Sequence, residues 1–130
     1  MDPEALFQRA RKLALEVVLF CRTFKSVPEA RVIQYQLIKS ATSMAANYRA
    51  ARCARSRREW FSKLSIVVEE ADETYFWVDF VKDLNIAKYP EHDQLIQEAL
   101  EMTKIFSTMR ARAKSNRNTA QEPKVPYHKR

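Results

Sequence analysis

The chain contains no glycine among its 130 residues. Phosphate-binding loops of the GxGxxG and Walker types need glycine for tight turns and for close approach of the backbone to a phosphate, so both types are excluded. The two-residue turns of β-hairpins also favour glycine, which argues against hairpins. An all-α chain is therefore the fold class most compatible with this composition.

Cysteine and histidine are scarce, with two of each. Cys21 and Cys53 lack the spacing of a metal site, and because each falls within a helical pattern we expect buried thiols outside any disulfide. Di-iron bundles use Glu-x-x-His motifs, whereas Glu70-x-x-Glu73 has no histidine. No histidine lies near Cys53 in the sequence, which gives no support to a thiol nucleophile. We expect no catalytic residue, no metal, no cofactor and no enzymatic activity.

Long apolar runs are also missing. The run Val17–Phe20 is far too short to cross a bilayer. The residues Met1–Glu4 do not form the basic segment that opens a secretory signal. We therefore expect a cytoplasmic protein that does not contact a membrane.

Charge, by contrast, is abundant and unevenly distributed, with a net value of +7. Residues 49–63 contain six basic side chains against Glu59 alone, a net charge of +5. Residues 69–79 contain five acidic side chains and no base, and residues 110–130 contain seven basic side chains against Glu122. Clustered positive charge suits a polyanion such as nucleic acid, and a merely solubilising surface is the alternative.

Apolar residues recur at spacings of three and four in four segments, which indicates four amphipathic helices. Asp2 and Ser56 are suitable N-caps, and Ser56 with Glu59 predicts a capping box. Breaks are expected near Pro28, Ser56 and Pro90, in part because the residue before a proline avoids the helical region. The predicted helices are Pro3–Phe24, Glu29–Ala54, Arg57–Leu84 and Glu91–Ala113.

The last residues of the chain differ from these segments. Residues 115–130 contain two prolines and several basic residues but no periodic apolar pattern, so they are predicted to be a disordered basic tail. Four helices with short connections favour an antiparallel up-down four-helix bundle formed by residues 1–114.

The predicted third helix is apolar on more than one face. Phe76, Trp77 and Phe80 add apolar surface beyond the main stripe, and a helix of this kind needs a second partner. We therefore predict an oligomer interface that includes these aromatic residues, together with Glu69 and Glu73 in an ion-pairing stripe. Helical spacing favours core or interface positions for the aromatic residues over stacking on nucleic-acid bases.

The predicted binding site is a group of basic residues at the junction of the second and third helices. Arginine forks match phosphate geometry, and amide groups at a helix start favour anions. Such contacts give affinity without base specificity. The alternative is that these side chains neutralise the acidic residues Glu69, Glu70, Asp72 and Glu73 of a neighbouring subunit. We call this group the basic corner; it consists of Arg49, Arg52, Arg55, Arg57, Arg58 and Lys63.

Four segments carry a resemblance to a known family. They are FQRARKLALEV at Phe7–Val17, SATSMAAN at Ser40–Asn47, SRREWF at Ser56–Phe61 and KLSIVVEEADET at Lys63–Thr74. Up to about Ala113 the chain resembles the four-helix-bundle proteins first noticed as reading frames in intervening sequences of bacterial large-subunit ribosomal RNA. Members are similar in fold to the accessory variability determinant of diversity-generating retroelements, a basic homopentameric barrel that binds nucleic acid and a reverse transcriptase.

This resemblance implies a bundle, a pentamer, binding of RNA or DNA, and a reverse transcriptase as a candidate partner. It implies no enzymatic activity. The chain departs from the common family pattern SIPSNIAEG, since Ser43–Ala50 has neither the proline nor the glycine, and the second helix is expected to continue without a kink. Two functions remain open: an oligomeric, sequence-tolerant nucleic-acid-binding protein, and a protein–protein adaptor or scaffold whose charges serve self-assembly and partner docking.

Overall fold

The computed structural model describes residues 1–117, and within them it contains four α-helices and no strand. Consecutive helices pack against each other, and α4 also packs against α1. The predicted all-α four-helix bundle is therefore confirmed. The helices are α1 Pro3–Cys21, α2 Pro28–Ala51, α3 Arg57–Leu84 and α4 His92–Arg117.

The helices alternate in direction along the bundle. Arg52, which follows α2, donates to Glu4 in the first turn of α1 at 2.8 Å. The Lys25 amide donates to the Ile86 carbonyl at 2.8 Å, which joins the α1–α2 and α3–α4 connections. The first contact marks the end that contains the α2–α3 connection and the start of α1. We call this end the basic end. The second contact marks the other end of the bundle, which we call the opposite end.

The starts of α1 and α3 are capped by the predicted side chains. The Asp2 carboxylate accepts from the Glu4 amide at 2.8 Å, and the Ser56 hydroxyl accepts from the Glu59 amide at 3.0 Å. In the predicted capping box the Glu59 carboxylate would accept from the amide of Ser56. It accepts instead from the amide of Arg55, one residue earlier, at 2.9 Å.

Helices α1 and α2 each end three residues earlier than predicted. After α2, the amides of Cys53 and Ala54 donate to the carbonyls of Ala50 and Ala51, three residues back. Hydrogen bonds to carbonyls three residues back also follow α1. Such bonds turn the last residues into a 3₁₀-type turn, so the chain leaves the helix while its orphan carbonyls remain bonded.

The end of α3 agrees with its prediction, and α4 is longer than expected. Asn85, in the left-handed conformation with φ 54°, follows α3 and takes the place that glycine usually occupies. Helix α4 continues to Arg117 instead of ending at Ala113. The remainder of the predicted tail, residues 118–130, lies outside the described residues.

The core runs along the axis of the bundle and draws apolar side chains from all four helices. At its centre, the rings of Tyr48 on α2 and Phe106 on α4 lie 5.2 Å apart, so diagonally opposed helices also meet. Burial raises the pKa of Tyr48 to about 12. Helix α2 passes through its small-residue segment without interruption, and Ala41 and Ala45 there face the core.

One polar pair is buried within this core. The hydroxyls of Ser40 on α2 and Thr74 on α3 lie 2.8 Å apart, and each also lies within hydrogen-bond distance of a carbonyl in its own helix, of Leu37 and Glu70 respectively. Because each hydroxyl has a single proton, one of the two donates to the other hydroxyl, which donates to its own carbonyl. Replacing Thr74 with valine keeps the shape of the side chain but removes one partner of Ser40. We expect the free energy of unfolding to fall by about 1 kcal/mol in urea denaturation.

The exposed Thr42 on α2 offers a matched control, because Thr42→Val removes a hydroxyl that, unlike that of Thr74, bonds only within its own helix. Its effect should be smaller than that of Thr74→Val. Equal effects, or a more stable Thr74→Val variant, would contradict a stabilising role for the buried pair.

Candidate nucleic-acid interface

The structure gathers the whole basic corner at the basic end of the bundle. Its residues belong to the last turn of α2, the α2–α3 connection and the first turns of α3. They lie close together because the chain reverses direction there within a few residues. Three members are exposed to solvent and three are partly buried. The exposed members are Arg49, Arg55 and Arg58, and the partly buried members are Arg52, Arg57 and Lys63.

Arg52 is held by a partner that the sequence analysis did not identify. Its guanidinium lies 2.8 Å from the Glu4 carboxylate on α1, and only 18% of its side chain is exposed. Gln8 donates to the other oxygen of Glu4 at 2.8 Å. The bonds from Gln8 and then Arg52 hold the pKa of Glu4 below its ordinary value. Arg52 is therefore fixed across the α1–α2 seam.

Arg55 is held much more weakly. Its guanidinium lies 3.5 Å from the Glu59 carboxylate, one turn along the chain, and 88% of its side chain is exposed. The pKa of Glu59 is lowered, first by the hydrogen bond from the Arg55 backbone amide. An exposed ion pair of this spacing contributes little to stability, because solvent and salt screen it. The Arg55 guanidinium can therefore exchange this carboxylate for a phosphate at little cost.

Two further arginines, outside the basic corner, each contact side chains of a neighbouring helix. Arg9 on α1 donates to Glu98 on α4 through two bonds of 2.8 Å, and to Glu101. The bonds to Glu98 and then Glu101 raise the pKa of Arg9 and join α1 to α4. Arg110 on α4 donates to Ser65 at 2.8 Å and lies 4.7 Å from the centre of an aromatic ring on α3. Arg110 therefore adds positive charge beside the start of α3.

Four acidic residues in the middle of α3 do not neutralise the basic corner within the described part of the chain. Across residues 1–117, no salt bridge involves any of them. They begin twelve residues after Arg57, which is roughly 18 Å along the helix at 1.5 Å per residue. Pairing between subunits stays a prediction. These residues, which we call the acidic stripe, are Glu69, Glu70, Asp72 and Glu73.

The aromatic residues predicted for an oligomer interface form one cluster on α3. The Phe76 and Phe80 rings stack with their centres 5.6 Å apart, and the Trp77 ring meets both edge-on at 4.9 and 5.7 Å. The indole of Trp77 also donates to Glu73 at 3.3 Å. Phe76 is 53% exposed and Phe80 is 43% exposed. This cluster, the aromatic patch, is thus a surface feature of the single chain.

The two cysteines have different environments, and neither forms a disulfide. Cys21 is buried as predicted, and burial raises its pKa to about 12. The prediction for Cys53 is wrong, because this residue is only partly buried. It lies in the turn after α2, where the chain has left the core, and its Sγ donates to the Arg49 carbonyl at 3.5 Å.

The part of the chain that the structure describes contains neither a cluster of metal-ligating side chains nor a membrane-spanning helix. No three side chains of His, Cys, Asp or Glu come together there in a group that could hold a metal ion. None of the helices described there is long and apolar enough to cross a membrane.

Fold and surface together define a class: a small antiparallel helical bundle with arginines collected at one end. The model of the family described as "23S rRNA-intervening sequence protein" matches residues 4–108. The chain belongs to this family, which confirms the resemblance noted in the sequence.

Comparison with solved structures supports the same fold. A protein of unknown function from the S23 ribosomal protein family of Bacteroides thetaiotaomicron superposes with a TM-score of 0.73 at 24% sequence identity. The match covers 85% of this chain and 99% of that one. At this identity the likeness shows the fold alone. No protein of curated function matches the sequence.

Proposed function

We propose that this protein is a non-enzymatic, oligomeric nucleic-acid-binding protein of the cytoplasm that holds RNA or DNA through the basic corner with little sequence preference. The observation that carries this proposal is the exposure of Arg49, Arg55 and Arg58 at one junction. Arg49 and Arg58 form no salt bridge within residues 1–117, and Arg55 has only the weak pair with Glu59. Guanidinium groups so placed suit successive phosphates.

The distribution of charge along the bundle supports the same proposal. Residues 49–63 have a net charge of +5, and residues 104–114 of α4 add four basic side chains and no acidic one at the same end. At the opposite end, residues 22–31 and 79–93 together contain five basic and five acidic side chains. A polyanion is therefore attracted to one end of the molecule.

The family supplies the context for the nucleic acid and for assembly. Its description refers to intervening sequences of 23S ribosomal RNA, which favours RNA among the polyanions. The resemblance to the accessory variability determinant makes a pentamer the favoured oligomer and a reverse transcriptase a candidate protein partner. The exposed aromatic patch supports self-association, since burying it against a second copy removes apolar surface from water.

Salt titration of binding tests the proposal. Fluorescence anisotropy should be measured with several unrelated RNA and DNA oligonucleotides of equal length over a range of salt concentrations. We expect similar affinities for all sequences, with log affinity falling linearly with log salt by about 0.7 to 0.9 per phosphate contact. Three contacts then give a slope of about −2 or steeper. Affinity that does not respond to salt, or strong preference for one sequence, would contradict the proposal.

The second candidate is an adaptor whose charges serve assembly and partner docking. It is favoured by the acidic stripe, which has no intramolecular salt bridge in the described part of the chain and suits basic residues of another chain. This function predicts an oligomer that weakens with salt and no affinity for nucleic acid. The salt titration, repeated by sedimentation on the protein alone, distinguishes the two functions.

A further inference from the structure

A cavity of about 290 Å³ opens between the start of α1 and the end of α2. It is lined by Glu4, Phe7, Arg49 and Arg52, so one aromatic residue and two arginines contribute to its wall. Its volume is at the lower end of the range for small-ligand pockets, roughly 300–1,000 Å³. The cavity adjoins the exposed arginines of the basic corner.

We infer that this cavity receives one unpaired base of a single-stranded RNA or DNA whose phosphates lie on the basic corner. This inference rests on the proposed function. Aromatic rings and guanidinium planes are the surfaces on which proteins stack unpaired bases. Phe7 provides the aromatic surface, since it is partly buried against the core and is thus held in place by packing.

The two arginines of the cavity have different tasks. Arg52 is fixed by its 2.8 Å bond to Glu4, so its guanidinium is a pre-positioned wall of the cavity. Arg49, three residues earlier on α2, is exposed and reaches the phosphate next to the inserted base. The Glu4 carboxylate is paired with the Arg52 guanidinium, so within the lining only Arg49 remains to bind a phosphate. A neutral base is therefore the part of the strand that enters.

This arrangement favours single strands over duplexes. In a duplex the bases are stacked and paired, and moving one out costs a few kcal/mol. The basic corner alone binds either form through phosphates. The cavity therefore adds affinity only where a base is already unpaired.

Removing either partner of the stacking contact tests the inference. Binding should be measured by anisotropy with a single strand of about 12 nucleotides, within the range that compact sites cover, and with the same strand carrying abasic sites. For the wild-type protein we expect the abasic strand to bind roughly tenfold more weakly, in line with measured stacking contributions. Phe7→Leu, which keeps an apolar side chain against the core, should lose a similar factor on the intact strand and little on the abasic strand. The salt slope should not change, because no phosphate contact is lost.

Tyr35→Leu is the matched control, since Tyr35 is 64% exposed on α2 and far from the cavity. It should bind both strands as the wild-type protein does. Equal affinity of the wild-type protein for intact and abasic strands would overturn the inference, whether or not Phe7→Leu folds, while steep salt dependence would leave the proposed function standing. No binding of either strand at low salt would instead refute the proposed function.

Discussion

Replacing Arg49, Arg55 and Arg58 together with alanine is expected to weaken nucleic-acid binding roughly 500-fold at about 0.1 M salt. If each arginine meets one phosphate of a duplex, the slope of log affinity against log salt should shrink by about 2.7, and that change gives the loss in affinity. The fold should persist, because all three side chains are exposed and alanine is a strong helix former. Arg52 is retained since its bond to Glu4 joins α1 to α2.

A variant with the same loss of charge at the opposite end provides the control. Arg22→Ala, Lys25→Ala and Arg31→Ala also remove three exposed basic side chains. This variant should retain most of the affinity and the salt slope, because its charges lie away from the basic corner. Equal losses in the two variants would show that binding follows net charge and not the corner.

Oligomeric state should be measured on the same arginine variant by sedimentation velocity. If the basic corner pairs with the acidic stripe of a neighbouring subunit, the variant should dissociate while its intrinsic affinity for nucleic acid need not change. An intact oligomer with unaltered affinity and salt slope would remove the basic corner from both functions.

Replacing Phe76 and Phe80 with serine is expected to convert the proposed oligomer to monomers. Fully burying a phenylalanine contributes about 1.5–3 kcal/mol, and because each ring is about half exposed in the single chain, the two together leave about one ring's worth of surface to bury. Losing them therefore weakens association by a factor of roughly 10 to 10². The monomer should keep its fold because both rings lie outside the buried core and are about half exposed in the single chain. Sedimentation velocity at micromolar concentration gives the oligomeric state, and circular dichroism checks the fold.

Leu15→Ser with Leu19→Ser is the matched control on α1, where these residues are 51% and 49% exposed. We expect this variant to remain an oligomer. Dissociation of the α1 variant but not of the α3 variant would place the interface on α1. A monomeric wild-type protein would refute self-assembly altogether.

Loss of assembly should also weaken binding to long nucleic acids. An oligomer presents several basic corners to one strand, and linked sites gain affinity through effective concentration. The Phe76→Ser, Phe80→Ser variant should therefore bind a short oligonucleotide normally and a long one less tightly than the wild-type protein does. Equal losses on both lengths would indicate damage to the basic corner itself.

Local patterns in the sequence by themselves determined the helices and the position of the basic corner. Apolar spacing and the caps at Asp2 and Ser56 depend on residues a few positions apart, so α3 has its predicted bounds. The basic corner also follows from local sequence, because a single tight connection holds its arginines together. The ends of α1 and α2 were less predictable, since no glycine marks them and the chain leaves each helix through a 3₁₀-type turn.

Only the tertiary structure decided which of these charges remain available. Arg52 meets Glu4 from 48 positions away, Arg9 meets Glu98 from 89 positions away, and Arg110 meets Ser65 from 45 positions away. The cavity beside Phe7 likewise exists only because the start of α1 lies against the end of α2. Helical periodicity indicates which face of a helix is apolar, but the register between helices depends on how complete side chains interlock. That packing pairs some arginines, leaves others exposed, and sets an aromatic ring beside them.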